Sequence, residues 1–343
     1  MIGVAVFGAS GYAGAELIRL IAGHPEMELR HVSAGRMAGK RLGEVLPSIG
    51  DYCAELILAD GTAPLADGVD LAFTALPHGA AAATVARLLA QGCRVVDLSA
   101  DFRHPNLNNY RDAYGTDHPQ PALTTQAVYG LSEWQREAIG STNLVANPGC
   151  YPTSVLLPLL PLLQTDLLNC DRIIVDAKSG TSGAGRSPKQ TTLFCEINES
   201  IAAYGLPRHR HQWEMEEWAE NLGCNRPISI PFTPHIIPMT RGMLATIYLH
   251  GNDPSSWHAI LDQRYADEPF VRVLPAGQLP ATGGVAGSNR CDIGIVVRDD
   301  HNAVLVSCID NLLKGAAGQA LQNANLMFAL DEQSGLSPLG VWP

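Results

Sequence analysis

Four groups of residues have types and spacing suited to chemistry. Asn147-Pro148-Gly149-Cys150-Tyr151-Pro152-Thr153 sets a cysteine between an apolar, strand-like run and a helix-like run. A thiol at a helix N-terminus meets the positive end of the helix dipole, which favours the nucleophilic thiolate. Gly149 lets the backbone turn there, and Pro152 suits a first helical turn. His209-Arg210-His211-Gln212-Trp213-Glu214 is the second group. His211 and Glu214 stand one helical turn apart, so the carboxylate can orient the imidazole, while His209 and Arg210 can hold an anion. Gly8-Ala9-Ser10-Gly11-Tyr12-Ala13-Gly14 follows an apolar run and opens a helical one, the setting in which glycine lets backbone and helix N–H groups approach a pyrophosphate. Ser179-Gly180-Thr181-Ser182-Gly183-Ala184-Gly185-Arg186, rich in glycine and hydroxyls, can cradle an anion or a cofactor ring through its N–H groups. A thiolate beside a dinucleotide suggests attack on an activated acyl group, giving a thioester that hydride reduces to an aldehyde.

The elements that must position these groups fall into two patterns. Apolar runs at 2–7, 71–76, 94–98 and 144–146 read as buried parallel strands, with helices at 13–22 and 80–91 between them. Such alternation implies a doubly wound α/β domain. After about residue 150 the pattern changes. Residues 150–168 read as an apolar helix that Pro158 and Pro161 must kink or break. Strand-like runs follow at 172–177, 228–232, 244–250, 293–297 and 303–309, and 299–302 has the composition of a hairpin turn. An α+β domain with a mostly antiparallel sheet is expected there. Residues 312–330 read as helix and are expected to pack back on the first domain.

Cofactor type follows from the end of the second strand. A site for a free ribose 2′-hydroxyl would place a carboxylate there; Ser33-Ala34-Gly35-Arg36 and Lys40 offer a hydroxyl and cations, which suit a 2′-phosphate and hence NADP.

The chain has 343 residues, a net charge of −11, 46% hydrophobic and only 17% charged residues, which suits large cores and excludes intrinsic disorder. That charge, with no basic run, argues against nucleic acid or an anionic membrane as partner. No stretch is apolar enough to span a bilayer. Eight scattered cysteines without a Cys-x-x-Cys pair fit neither a disulfide framework nor a zinc site, and no metal is expected. The opening run lacks the basic flank of a signal peptide, so a reducing, cytoplasmic location is expected.

Together with Asp97-Leu98-Ser99-Ala100-Asp101-Phe102-Arg103, Tyr204 and Asp310-Asn311-Leu312-Leu313-Lys314-Gly315-Ala316-Ala317, these segments resemble the N-acetyl-gamma-glutamyl-phosphate reductases of arginine biosynthesis, in the family's order from residue 1 to about 330. The resemblance implies an α/β Rossmann-type NADP-binding domain (1–149 with about 312–343) and an α+β catalytic, substrate and oligomerisation domain (150–311), assembled as a homodimer or homotetramer. It implies NADPH-dependent reduction of N-acetyl-L-glutamyl 5-phosphate to the 5-semialdehyde and inorganic phosphate. By similarity Cys150 is the nucleophile and a histidine of the 209–211 pair the acid/base; Glu214 favours His211, leaving His209 for substrate or phosphate. Gly8, Ser10, Gly11, Tyr12, Ala13, Gly14, Ser33, Arg36 and Asn311 would meet NADP, with Ser179 and Gly180 near the nicotinamide. Arg103, Asn147, Tyr204 and Arg186 are the substrate-binding candidates, Arg103 for the acyl phosphate. Two departures stand out: Trp213 replaces a common proline before the Glu, which bears on how that helix starts, and Ser154 replaces a smaller residue. An aspartate-semialdehyde dehydrogenase or a carrier-linked aminoadipyl-phosphate reductase would share this chemistry, while a non-catalytic NADP-sensing protein would need neither the cysteine nor the histidines.

Overall fold

The computed structural model describes residues 1–224 and 226–341. Contacts divide the chain into two compact units: 1–148 with 316–336, and 149–315 with the tail after Leu336.

In the first unit β1 (Ile2–Phe7), α1 (Tyr12–Ala22), β2 (Met27–Ser33), β3 (Leu71–Thr74), α2 (Ala82–Ala90), β4 (Arg94–Asp97), β5 (Val128–Tyr129) and β6 (Leu144–Ala146) build a sheet of order β2-β1-β3-β4-β6-β5. All its pairings are parallel. A parallel sheet is covered on both faces, which is why these strands read as unbroken apolar runs. Ala5, Phe7, Ala72, Val95 and Ala146 pack with Val85 and Leu88 of α2 in one core.

The Asp97–Arg103 motif turns out to brace this sheet. Asp97, fully buried, accepts from the Thr74 and Ser99 hydroxyls, each at 2.6 Å. Burial raises its carboxyl to about 6, against the pull of those donors. Asp101 accepts from the N–H groups of Gly79 at 2.5 Å and of Ala81 and Ala82 at 3.0 Å, satisfying the start of α2.

The second unit opens with α3 (Cys150–Leu163), then β7 (Ile174–Ser179), β8 (Ala202–Ala203), α4 (Arg210–Ala219), β9 (Phe232–Ile236), β10 (Met243–His250), α5 (Trp257–Tyr265), β11 (Val271–Val273), β12 (Cys291–Val297) and β13 (Asn302–Ile309). Its sheet runs β11-β12-β13-β10-β7-β9-β8, with β11/β12 and β7/β9 parallel and the other pairs antiparallel. Asp299 closes the β12–β13 hairpin by accepting from the N–H groups of His301 and Asn302, both at 3.0 Å. Strand β9 lies later than the expected 228–232.

Helix α3 corrects another expectation. It continues through Pro158 and Pro161 and stops at Leu163, not at 168. Each proline deprives the carbonyl four residues earlier of its donor. The Ser307 hydroxyl donates to the Ser154 carbonyl at 2.6 Å, and the Tyr265 hydroxyl donates to the Leu157 carbonyl. Both orphaned carbonyls are thus satisfied from β13 and α5. All of α3 after Cys150 is buried, so its apolar character continues around the whole helix.

The chain re-enters the first unit at Ala316 and forms α6 (Gly318–Met327). Gln319 and Asn323 donate to the Gly130 carbonyl at 2.9 and 2.8 Å. The segment 312–343 is therefore shared: 312–315 and the tail beyond Leu336 group with the second unit. Among the described residues no helix is long and apolar enough to cross a membrane.

Candidate active site

In the second unit one cavity of about 350 Å³ gathers Cys150, Tyr151, Ser179, Gly180, Tyr204 and the whole His209–His211 run. Four elements carry them: the start of α3, the end of β7, the end of β8, which Tyr204 follows, and the start of α4. A larger hollow of about 530 Å³, lined by Leu168, Cys170, Arg226 and His250, holds none of the residues singled out above.

Gly149 is the N-cap of α3 and Cys150 its first residue, half-buried, so the sulfur sits at the positive end of the helix. Two contacts fix it. The Gly149 N–H donates to Glu214 Oε1 at 2.8 Å, and that carboxylate is fully buried. Glu214 thereby ties the helix bearing His211 to the turn bearing Cys150. From the other side Gly315 packs so closely that a Cβ there would lie 2.8 Å from Cys150 Cβ. Only glycine permits that approach. Trp213 does not disturb the arrangement: α4 still starts at Arg210, and Arg208 lies over the Trp213 ring, 4.0 Å from its centroid. The Ser154 hydroxyl donates to the Tyr151 carbonyl at 3.0 Å, within α3.

The two histidines differ. His209 is the N-cap of α4, its Nδ1 accepting the His211 N–H at 3.2 Å. Burial, then the Arg210 charge, pushes its pKa down to about 4. His209 is therefore neutral near pH 7, with its proton on Nε2 and its Nδ1 lone pair occupied. His211 is buried, 8% exposed, and its ring lies 4.9 Å from that of His209. Tyr151, which sequence reasoning passed over, packs edge-on against both imidazoles at 5.9 Å, and its hydroxyl lies 2.9 Å from that of Tyr204. Its place beside the nucleophile was the one available signal.

The Ser179–Gly185 loop corrects an expectation. Its N–H groups do not form an open cradle: Gly180 donates to Gly242 O (2.9 Å), Thr181 to Met239 O (2.7 Å), Ser182 to Thr240 O (3.1 Å) and Gly183 to Gly180 O (3.2 Å). Asn311 braces the same loop, its amide donating to Ser182 Oγ at 2.9 Å and accepting the Gly242 N–H at 2.7 Å. Arg186 is exposed and lies outside the cavity lining, where Lys189 and Glu196 contribute the charges besides Arg210.

Arg103 and Asn147 belong to the first unit. Arg103 is buried, and its guanidinium donates to the carbonyls of Asn147 and Leu98, both at 2.8 Å, joining the ends of β6 and β4. The Asn147 amide donates to Ala316 O at 3.2 Å and accepts from Asn323 Nδ2 at 3.0 Å. Both side chains hold backbone.

The glycine loop of the first unit fits a dinucleotide. Gly8 has φ +86°, and a Cβ there would lie 2.2 Å from Ala75 O; one at Gly14 would lie 2.3 Å from Gly8 O. No side chain caps α1 at Gly11, so the N–H groups of its first turn, from Tyr12 and Ala13 on, remain for a phosphate. Ser10 sits half-buried in the turn before it. The Ser33 carbonyl accepts from the N–H groups of Gly8 (2.8 Å) and Ala9 (3.0 Å), which sets the end of β2 beside the loop, with Arg36 exposed on the following turn. Among the described residues no group of three His, Cys, Asp or Glu is arranged to hold a metal ion.

Comparison with known proteins gives a consistent picture. Residues 3–142 match the family model "Semialdehyde dehydrogenase, NAD binding domain" and residues 150–311 "Semialdehyde dehydrogenase, dimerisation domain". The N-acetyl-gamma-glutamyl-phosphate reductase of Magnetococcus marinus is 47% identical, covering 99% of this chain and 98% of that protein. That of Citrifermentans bemidjiense is 48% identical over the whole of both chains. In fold the chain is similar to Vibrio cholerae aspartate semialdehyde dehydrogenase II (TM-score 0.73, 18% identity, 96% of this chain and 98% of that one). It is likewise similar to the NADP complex of the Candida albicans aspartate semialdehyde dehydrogenase (TM-score 0.67, 16% identity, 96% and 99%).

Proposed function

The chain belongs to the N-acetyl-gamma-glutamyl-phosphate reductase family, and from that premise we propose that it reduces N-acetyl-L-glutamyl 5-phosphate to N-acetyl-L-glutamate 5-semialdehyde and phosphate, using NADPH and a thioester on Cys150. The observation that carries the reading is a cysteine at a helix N-terminus sharing one cavity with a buried imidazole, a half-buried one and a tyrosine hydroxyl.

Cys150 Sγ attacks the acyl carbon; the carbon–oxygen bond to phosphate breaks and the thioester forms. His211 takes the thiol proton and returns it to Cys150 Sγ when the carbon–sulfur bond breaks and the aldehyde leaves. The assignment to His211 rather than His209 is supported by the His209 Nδ1 lone pair, which already accepts the His211 N–H. The His209 Nε2–H instead serves as a donor to the acyl oxygen or to phosphate. Arg210 and Lys189 supply positive charge for the substrate's carboxylate and phosphate. Glu214 positions rather than reacts, by holding the Gly149 N–H. Tyr12, Ala13 and the glycine loop would hold the pyrophosphate, and Ser33 with Arg36 the 2′-phosphate of NADP. Bound NADPH supplies the hydride. Arg103, Asn147, Asn311 and the Ser179–Gly180 corner act as the braces of these sites. A homodimer or homotetramer in the cytoplasm is the expected working form, with 150–311 as the assembling part.

The test follows NADP+ reduction with N-acetyl-L-glutamate 5-semialdehyde and phosphate, with aspartate semialdehyde in parallel. Turnover of the first and not the second is expected; the reverse would assign the chain's activity to the aspartate enzyme.

A further inference from the structure

We propose that Asp310 is a positioning residue for the Cys150 sulfur: its carboxylate clamps the turn that follows β13, and that turn presses Gly315 against the back of Cys150. The inference deepens the functional reading above and rests on its cysteine nucleophile.

Asp310 follows directly on Ile309, the last residue of β13, which is paired with Met243 of β10 on one side and Cys291 of β12 on the other. The carboxylate thus stands at the end of a strand held from both sides, and it is fully buried. Burying a charge is costly unless donors replace the lost water. Here they do. Oδ1 accepts from the N–H groups of Leu312 at 2.9 Å and Leu313 at 3.3 Å, and Oδ2 accepts from the Gly287 N–H at 2.9 Å. Arg241 Nε lies 3.7 Å from the same Oδ2. The Asp310 carbonyl accepts in addition from the N–H groups of Leu313 at 3.2 Å and Gly315 at 3.0 Å. Side chain and carbonyl together fix residues 312, 313 and 315 relative to the strand.

The clamp acts on the close packing at Gly315. A Cβ at 315 would lie 2.8 Å from Cys150 Cβ and 3.3 Å from Cys150 Cα, so the turn leaves no slack behind the nucleophile. Asp310 does not line the cavity itself, and it reaches the sulfur only through this contact. The chemistry selects a carboxylate. Its two acceptor oxygens serve two separate groups of donors, whereas an amide has one oxygen, and its NH2 would face either the Gly287 N–H or those of the turn. Asp310→Asn therefore releases one side of the clamp with almost no change of volume.

The experiment is a double-mutant cycle of Asp310→Asn and Gly315→Ala in the intact enzyme. It is read as kcat and KM for NADP+ reduction with N-acetyl-L-glutamate 5-semialdehyde and phosphate, beside the urea midpoint. Asp310→Asn should lower kcat by about 10- to 100-fold and leave the KM of the semialdehyde within about threefold, because it shifts the reacting sulfur without touching a binding group. In that background the turn can give way, so adding Gly315→Ala should lower kcat by about threefold or less, and the two losses should not multiply. A merely structural role would move the urea midpoint while kcat per folded enzyme stays within about twofold of wild type. That result, or losses that multiply, overturns the proposal. Should Asp310→Asn fail to fold, Asp310→Ser carries the same cycle, its hydroxyl still accepting from the turn while the Gly287 bond is lost. A wild type inactive with this semialdehyde but active with aspartate semialdehyde overturns the substrate of the functional reading. The cycle is then read with aspartate semialdehyde, and the same non-additivity decides the role of Asp310.

Discussion

Gly315→Ala tests how tightly the nucleophile is held, without altering any group that reacts. A methyl at 315 would lie 2.8 Å from Cys150 Cβ and 3.2 Å from Ile309 Cδ1, where ordinary contact begins at 3.4 Å. Ile309 can yield by rotating its terminal carbon. Cys150 Cβ cannot, because it is fixed to the first residue of a helix whose N-cap is tied to Glu214. The shortfall of about 0.6 Å therefore falls mainly on the Cys150 backbone. Displacements of that order move a reacting atom out of its near-attack position, and kcat should fall by about 10- to 100-fold. Overpacking should also lower stability by about 1–3 kcal/mol. The assay is steady-state NADP+ reduction with the semialdehyde and phosphate, alongside urea unfolding to show that the variant is folded. A folded Gly315→Ala enzyme with kcat within twofold of wild type would refute the claim that this contact sets the position of the sulfur.

Other outcomes follow from particular contacts. Ser307→Ala leaves the Ser154 carbonyl, orphaned by Pro158, without its donor, and should cost about 1–3 kcal/mol in urea unfolding. In a Pro158→Ala background, where the helical N–H is restored, the same change should cost less, and equal costs in both backgrounds would contradict the pairing. His209 has a pKa lowered to about 4 from 6.5, so the unfolded chain binds more protons than the native one between those values. Stability contributed by neutral His209 is thus complete above about pH 6.5 and lost as the pH falls towards 4; His209→Gln should flatten that part of the urea midpoint against pH, and an unchanged slope would contradict the shift. Arg36→Ala should erode a preference for NADPH over NADH of about tenfold or more, the worth of a charge-assisted bond to phosphate, whereas equal use of both cofactors by wild type would remove the 2′-phosphate assignment.

Much of the first unit could be read directly, because buried parallel strands are written as apolar runs and the Gly8–Gly14 turn follows one of them without a gap. The placing of Cys150 was legible for the same reason: Asn147-Pro148-Gly149 must end the strand, so the next residue starts the helix. What could not be read depends on partners distant in sequence. Pro158 and Pro161 announce two missing donors, but nothing near them reveals that Ser307 and Tyr265 satisfy the freed carbonyls. Glycine and hydroxyl residues at 179–185 have the composition of an anion cradle, and equally that of a loop tied down by the carbonyls of Met239, Thr240 and Gly242. Arg103 in a polar motif reads as an anion binder, yet its guanidinium holds the ends of two strands. The two histidines are alike in sequence and separate only once the N-cap bond at His209 Nδ1 is seen.

The most direct measurement of the covalent route is a single turnover in the reverse direction without phosphate. Enzyme mixed with NADP+ and labelled N-acetyl-L-glutamate semialdehyde should release one NADPH per active site in a burst. After acid quench the label should remain on the peptide containing Cys150, and the Cys150→Ser variant should still bind NADP+ but give neither burst nor label. Absence of a burst until phosphate is added, or label on another residue such as the exposed Cys195, would contradict the account.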